Sequence, residues 1–212
     1  MLPTTQFTYR KGLGTCDALL CVAHTLQSAL EIKKEARIVQ IDFSATFDRV
    51  NHPGLLFKLC SVGGSVLSVL TQFLSNWLQY VVVDGCCSKL VNMVSGVPEG
   101  SVLGPQLFLL YTSELFSIVK NKLYGYADDS TLVAIVPSPG EKVAASESMN
   151  RDLNRVSVWC NLWGMKLNAS KTKTMIVSRS CTVHPQLTPL TLDIFIYIYL
   201  RFKHNAIPAT PN

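Results

Sequence analysis

The chain has 212 residues, of which 48% are hydrophobic and 16% are charged, with a formal net charge of +5. This composition excludes an intrinsically disordered protein, because it supplies enough apolar side chains for a buried core. The length suits one domain, with room for appended pieces. No apolar run reaches the roughly 18 residues that span a bilayer, and the N-terminus lacks a secretory signal. We therefore expect an intracellular protein, cytoplasmic or nuclear, with no membrane partner.

The seven cysteines are odd in number and include no CxxC pair and no His partner at zinc-finger spacing. We expect reduced, mostly buried thiols rather than bridges or metal ligands, and no disulfide-linked partner.

Positive charge is concentrated in residues 9–11, 33–34 and 166–173. Such clusters are compatible with a polyanionic partner, although a basic balance of this size is also common in ordinary soluble proteins.

The first half of the chain alternates helical and strand-like patterns. Apolar residues at helical spacing from 17 to about 32 predict an amphipathic helix. The β-branched segment ARIVQIDFS predicts a buried strand that ends at Asp42. Two predicted helices flank Gly63-Gly64, and two β-rich arms around Asp84-Gly85 predict a hairpin.

A loop rich in Pro and Gly precedes a predicted helix from about Gln106 to Val119. The stretch LYGYADDSTLVAIV, residues 123 to 136, follows it. Apolar residues on both sides of the two acids predict a hairpin with Asp128 and Asp129 at its tip.

Helical spacing returns from Glu141 to about Trp163, where Gly164 ends the pattern, and a basic turn then leads to a last strand. The order of elements predicts an α+β fold, an antiparallel sheet with helices packed on one face.

Three carboxylates lie at the ends of predicted strands: Asp42 closes one strand, and Asp128 and Asp129 occupy the hairpin tip. If the strands are neighbours, the carboxylates converge, and their repulsion raises the pKa of at least one of them. Magnesium ions suit carboxylate oxygens, and a pair of them can activate an attacking hydroxyl and stabilise a leaving pyrophosphate. The alternative is that the acid pair simply forms a turn.

The segments YADD, QIDFSATFDRVNH and SGVPEGSVLGPQLFLLYTSEL together resemble the palm of a reverse transcriptase from a non-LTR, LINE-type retrotransposon, closest to the jockey-like elements. The resemblance runs from about Gln6 to about Leu192, with several motifs in the family's order and spacing. It implies an RNA-directed DNA polymerase that uses two Mg²⁺ ions, with Mn²⁺ as a substitute. The implied partners are an RNA template, a DNA primer and deoxynucleoside triphosphates.

The resemblance also implies catalytic roles. Asp42 and Asp128 would bind the metal ions, with the Phe43 carbonyl as a further ligand and Asp129 in a supporting role. Lys171 would protonate or steady the leaving pyrophosphate; the alternative for this side chain is a solvated lysine.

Three further residues match substrate-binding positions. Phe47 would be a steric gate that excludes a 2′-hydroxyl; the alternative is a core aromatic. Arg10 and Lys11 resemble a basic fingers segment near the triphosphate, where the alternative is solvated side chains.

The segment SGVPEGSVLGP would run beneath the nascent base pair, where Gly96 and Gly100 let the backbone approach a ligand. The family normally has glutamine where this chain has Glu99. The extra negative charge near phosphates predicts less efficient synthesis.

The resemblance divides the chain into a partial fingers segment at 1–32, a palm at 33–180 and a divergent tail at 181–212, with no thumb. It implies a truncated protein with weak or lost activity. One alternative is a non-catalytic RNA-binding or interaction remnant, since palms share their layout with small RNA-recognition domains, although the strands RIVQID and TLVAIV lack stacking aromatics. Another is a misfolding fragment without function.

Overall fold

A computed structural model describes residues 2–61, 63–98, 100–179 and 197–201, the last of these as backbone. The helices and strands in this part of the chain are α1 (Thr15–Glu31), β1 (Glu35–Ile41), α2 (His52–Lys58), α3 (Gly64–Leu74), β2 (Leu78–Gln79), β3 (Val82–Val83), β4 (Cys86–Cys87), β5 (Val91–Asn92), α4 (Leu103–Thr112), α5 (Leu115–Ile118), β6 (Lys122–Tyr126), β7 (Asp129–Val136), a 3₁₀ turn (Pro139–Glu141), α6 (Lys142–Trp163), β8 (Lys173–Ser178) and β9 (Tyr197–Arg201).

A five-stranded sheet in the order β6-β7-β1-β8-β9 forms the centre of the fold. The first of its strands in sequence, β1, lies in the middle and pairs antiparallel with both β7 and β8. The hairpin β6-β7 forms one edge. At the other edge β9 runs parallel to β8, which departs from the antiparallel prediction. The predicted α+β class with an antiparallel sheet is confirmed for the other four strands.

Side chains alternate between the two faces of β1, and both faces are covered. Val39 and Ile41 belong to the larger core, which α2 to α6 complete. Ala36 and Ile38 point to the opposite face, where α1 contributes Leu30 to a second cluster. The prediction of helices on one face is therefore wrong for α1. Because an amphipathic pattern indicates only that one side of a helix is buried, it does not select a face of the sheet.

The predicted helix from about Gln106 to Val119 is shifted and interrupted, since α4 begins at Leu103 and a separate short α5 follows it. At the break, the Thr112 hydroxyl donates to the Phe108 carbonyl at 3.0 Å and the Ser113 hydroxyl to the Leu110 carbonyl at 2.9 Å. Hydroxyl groups that bond to the preceding turn compete with the backbone ladder of a helix. Both hydroxyl bonds lie at the break between α4 and α5.

Two turns follow their sequence signals. Asp84 and Gly85 have φ angles of 50° and 78°, as a two-residue hairpin turn of type I′ requires, and they join β3 to β4. Gly164 ends α6 in the left-handed conformation, at φ 72° and ψ 11°.

The cysteines differ from expectation. Cys160 is buried in the larger core, but the other described thiols are free and exposed, namely Cys16, Cys21, Cys60, Cys86 and Cys87. The prediction of mostly buried thiols is wrong because these residues lie on the outer side of α1, in the turn after α2 and on an exposed hairpin. None of the helices within the described ranges is long and apolar enough to cross a membrane.

Candidate active site

The candidate site lies where β1 ends and β7 begins. These strands pair antiparallel, with Ile41 opposite Ser130. One residue further toward the end of β1, Asp42 therefore comes opposite Asp129. Asp128 is the second residue of the two-residue turn, Ala127-Asp128, that joins β6 to β7, and Asp129 is the first residue of β7, so the predicted hairpin tip is shifted by one residue. The condition set by the sequence, that the two acid-bearing strands are neighbours, is therefore met. A cavity of about 220 Å³ borders Asp129 between the sheet and α1.

The three carboxylates interact electrostatically. The pKa of Asp129 is raised above its ordinary value, first by partial burial and then by the negative charges of Asp128 and Asp42. Repulsion of this kind favours a proton or a cation between the carboxylates. Negative charge is thus concentrated where β1 ends and β7 begins.

Two buried threonines hold the aspartates in position. The Thr46 hydroxyl donates to Asp128 Oδ2 at 3.1 Å. The Thr172 hydroxyl accepts from the backbone N–H of Asp42 at 3.3 Å. Neither threonine was among the sequence-based candidates. The only available signals were that Thr46 lies between Asp42 and Phe47 in the chain and that Thr172 follows Lys171.

The backbone around Phe43 leaves its carbonyl free of the neighbouring loop. The Asp42 carbonyl accepts from Asn168 N–H, and Ser44 N–H donates to the Lys166 carbonyl, both at 2.8 Å. Successive carbonyls of an extended chain point in opposite directions. The Phe43 carbonyl therefore points away from this loop.

A segment near the N-terminus, residues 5–8, runs beside β6 and was not predicted to contact it. Gln6 forms a parallel bridge with Gly125. Phe7 N–H donates to the Gly125 carbonyl at 3.0 Å, and Gly125 N–H donates to the Thr5 carbonyl at 2.9 Å. The segment thus extends the sheet edge next to the turn that carries Asp128.

Phe47 and Gly96 connect the site to the loop that follows the exposed hairpin. The half-buried Phe47 ring packs against Phe108 with centroids 4.9 Å apart, and its carbonyl accepts from Val97 N–H at 3.0 Å. Gly96 has a φ of 93°, and an added Cβ would lie 3.2 Å from the Cα of Asp48. Close packing and a positive φ therefore account for the glycine at this position.

The basic residues of the N-terminal segment differ in their surroundings. One guanidinium nitrogen of Arg10 donates to the carbonyls of Pro3, Thr4 and Gln6 at 3.1 to 3.3 Å. Arg10 therefore stabilises the N-terminal segment over residues 3–6. Lys11 is exposed.

The remaining candidates are less constrained. Lys171 is exposed on the loop that leads to β8, and its backbone N–H donates to the Asn168 carbonyl at 3.2 Å. Gly100 is exposed with a φ of 76° and has open space around it. Glu99 lies outside the described residues.

The side chains at the candidate site offer carboxylate oxygens to a divalent cation. Within the described ranges, no three His, Cys, Asp or Glu side chains are gathered around a point that could hold a metal ion. The chemistry of Asp42, Asp128 and Asp129 nevertheless fits such an ion, because carboxylate oxygens are the donors that Mg²⁺ prefers. Their mutual repulsion is also the penalty that a bound cation relieves.

The sequence matches a family model described as reverse transcriptase (RNA-dependent DNA polymerase) over residues 1–190. Similar curated proteins include the RNA-directed DNA polymerase from mobile element jockey of Drosophila funebris, 29% identical over 88% of this chain and 21% of the relative. The jockey polymerase of Drosophila melanogaster is 32% identical over 80% of this chain and 19% of its own length. The probable RNA-directed DNA polymerase from transposon BS of Drosophila melanogaster is 30% identical over 92% of this chain and 22% of its own length.

Solved structures support the fold. Apo telomerase from Candida tropicalis, truncated from its C-terminal domain, aligns with a TM-score of 0.58 at 14% identity, covering 84% of this chain and 37% of that one. Telomerase from Candida albicans in complex with a fragment of telomeric RNA aligns with a TM-score of 0.59 at 16% identity, covering 84% of this chain and 33% of the telomerase chain. This chain spans about a fifth of the length of its curated relatives. It belongs to the reverse transcriptase (RNA-dependent DNA polymerase) family, and its relatives are those of jockey-like, LINE-type retrotransposons.

Proposed function

We propose that this chain carries the polymerase site that adds deoxynucleotides to the 3′-hydroxyl of a DNA primer on an RNA template. The observation that supports this most strongly is the meeting of Asp42 with Asp128 and Asp129 at adjoining strand ends, in a chain of this family. In-line attack by the primer hydroxyl on the α-phosphate breaks the bond to pyrophosphate. The proposed substrates are deoxynucleoside triphosphates.

Asp42 and Asp128, with the Phe43 carbonyl, would hold two Mg²⁺ ions, for which Mn²⁺ could substitute. The chemistry supplied by such ions is activation of the attacking hydroxyl and stabilisation of the leaving oxygen. The hydrogen bond from Thr46 orients the Asp128 carboxylate. Asp129 adds negative charge in a supporting role.

Substrate selection is assigned to the surroundings of these aspartates. Phe47 packs on Phe108 from one side, which would hold its ring as a rigid gate against a 2′-hydroxyl. Gly96 and Gly100 belong to the loop beneath the base pair. Lys171 would protonate or steady pyrophosphate, while Arg10 and Lys11 would approach the triphosphate.

We also propose the domain division into a partial fingers segment at 1–32 and a palm at 33–180. The placement of β1, β6, β7 and β8 in one sheet supports a single palm unit. The tail at 181–212 lies outside the described residues except for the backbone of β9.

The decisive experiment is primer extension on an RNA template with Mg²⁺, comparing the unaltered chain with Asp128→Asn. Asp84→Asn is the matched control, because it makes the same change at an exposed hairpin turn. Extension by the unaltered chain and the control, with only background for Asp128→Asn, is expected. Equal extension by all three proteins would contradict the catalytic assignment, as would no extension by the unaltered chain.

A further inference from the structure

The residue that precedes the acid pair has an unfavourable backbone conformation. Ala127 has a φ of 55°, in the left-handed region that side-chain-bearing residues rarely adopt. Such a conformation persists only when surrounding contacts fix it. Because Asp128 follows directly, the backbone of Ala127 sets the direction of the Asp128 carboxylate.

Both backbone polar groups of Ala127 are bound by side chains from one distant segment. The Gln6 side-chain amide donates to the Ala127 carbonyl at 3.3 Å. The Ala127 N–H donates to the Thr8 hydroxyl. These contacts join residues about 120 positions apart in the chain.

The two side chains are themselves held firmly. Gln6 is 2% exposed and Thr8 is 3% exposed. The Thr8 N–H donates to the Gln6 side-chain carbonyl at 3.3 Å, so that the Gln6 amide is bound at both ends. On β6, a Cβ at Gly125 would lie 2.8 Å from Gln6 Nε2 and 2.6 Å from the Phe116 ring. The close approach of Gln6 thus requires the glycine.

We propose that Gln6 and Thr8 are positioning residues for the candidate active site. They hold Ala127 in its left-handed conformation and thereby aim the carboxylate of Asp128 at the end of β1. This inference rests on the proposed function, since it assigns the contacts to the same aspartates. Neither side chain touches a substrate; both act through the backbone of Ala127.

The first test measures amide hydrogen exchange at Ala127 by NMR in the full chain without metal. Thr8→Val removes the hydroxyl while keeping the shape, and Thr8→Ser restores it. Thr5→Val is the matched control, because Thr5 contributes its backbone carbonyl to the segment. We expect Ala127 exchange to accelerate about 10-fold or more in Thr8→Val only, with the Val133 amide in β7 unchanged as an internal reference. Unchanged exchange at Ala127 in Thr8→Val would overturn the proposal.

The second test measures Mn²⁺ affinity by electron paramagnetic resonance of the free ion. We expect Thr8→Val to weaken Mn²⁺ binding about 10-fold, because the Asp128 carboxylate is then less well aimed, and Thr8→Ser to bind Mn²⁺ normally. If Thr8→Val binds like the unaltered chain while Asp128→Asn does not bind, the positioning role is wrong and the proposed site stands. If Asp128→Asn binds as well as the unaltered chain, the proposed site itself is wrong. Should Thr8→Val not fold, Gln6→Met with the same two measurements decides between these outcomes.

Discussion

Thr46 and Asp128 are 82 residues apart in the chain, and the Thr46 hydroxyl donates a 3.1 Å hydrogen bond to Asp128 Oδ2. The bond joins the loop after β1 to the turn before β7, the two segments that bring the acids together. A hydrogen bond to a carboxylate fixes its orientation and favours its ionised form. Thr46 is therefore a support for the side chain on which the proposed chemistry depends.

Thr46→Val is expected to lower the rate of primer extension about 10-fold with little change in the unfolding temperature, because it removes the bond to Asp128 and keeps the shape of the buried side chain. Thr46→Ser retains the hydroxyl and should retain activity. The measurement is kcat and KM for the deoxynucleotide. A rate for Thr46→Val equal to that of the unaltered chain would show that Asp128 needs no such support.

Asp152 is a fully buried carboxylate on α6 that stabilises the start of β6. It accepts from the backbone N–H groups of Lys120 and Asn121 at 3.0 and 2.8 Å, and Arg155 forms an ion pair with it. Asp152→Ala leaves these donors without their partner, so we expect a loss of about 3 kcal/mol in the free energy of unfolding. Urea unfolding of the two proteins measures this difference in the free energy of unfolding. As a control, Glu147→Ala removes an exposed carboxylate and should change the value by less than about 1 kcal/mol.

Cys160 makes stability depend on pH at the alkaline end. Burial raises the pKa of its thiol from 9.0 to about 12. Between these values the unfolded chain ionises and the folded chain does not, so the stabilisation present below pH 9 is lost as the pH rises. Urea unfolding of the unaltered chain should lose about 1 kcal/mol more between pH 9 and 10 than unfolding of Cys160→Ala. Parallel pH profiles for the two proteins would contradict the burial of this thiol.

Local patterns predicted those elements that depend on neighbours in sequence. Helical spacing gave α1 and α6, and the paired arms of β6 and β7 gave the hairpin, because periodicity and turn chemistry act over a few residues. The meeting of Asp42 with Asp128 and Asp129 was predictable once their strands were taken as neighbours.

The supporting contacts were not predictable in this way. Thr46, Thr172, Gln6 and Thr8 bond to groups far away in the chain, and each is a common polar residue with no periodic signal. The parallel pairing of β9 likewise depends on long-range packing. A sequence pattern indicates which side chains carry chemistry more readily than which side chains hold them.

The resemblance to this family implies glutamine at position 99, so we expect the charge of Glu99 to oppose the phosphates of template and nucleotide. A change of about 1 kcal/mol in electrostatic energy, the size expected for one charge in water, corresponds to roughly fivefold in rate. Glu99→Gln should therefore raise primer extension about fivefold. Glu147→Gln makes the same change at an exposed site on α6 and should have no effect. An unchanged or lower rate for Glu99→Gln would contradict this account of the residue.

We expect Asp129 to make the stability of the fold depend on divalent ions. Its pKa is raised by partial burial and by Asp128 and Asp42, so its stabilising contribution is complete below its ordinary pKa and is lost as the pH rises through the raised value. At neutral pH without metal, Asp129→Asn should therefore raise the unfolding temperature, by roughly 1 to 2 °C for a group this exposed.

With Mg²⁺ present, the unaltered chain should have a higher unfolding temperature than Asp129→Asn. At about tenfold above its dissociation constant the ion stabilises a protein that binds it by about 1.4 kcal/mol, or roughly 3 to 6 °C for a chain of this size. We expect this gain for the unaltered chain and for Asp84→Asn, and a smaller gain for Asp129→Asn, since one of the three carboxylates is then neutral. Thermal unfolding with and without Mg²⁺ measures the difference. Equal gains for all three proteins would mean that the carboxylates at the ends of β1 and β7 do not bind the ion.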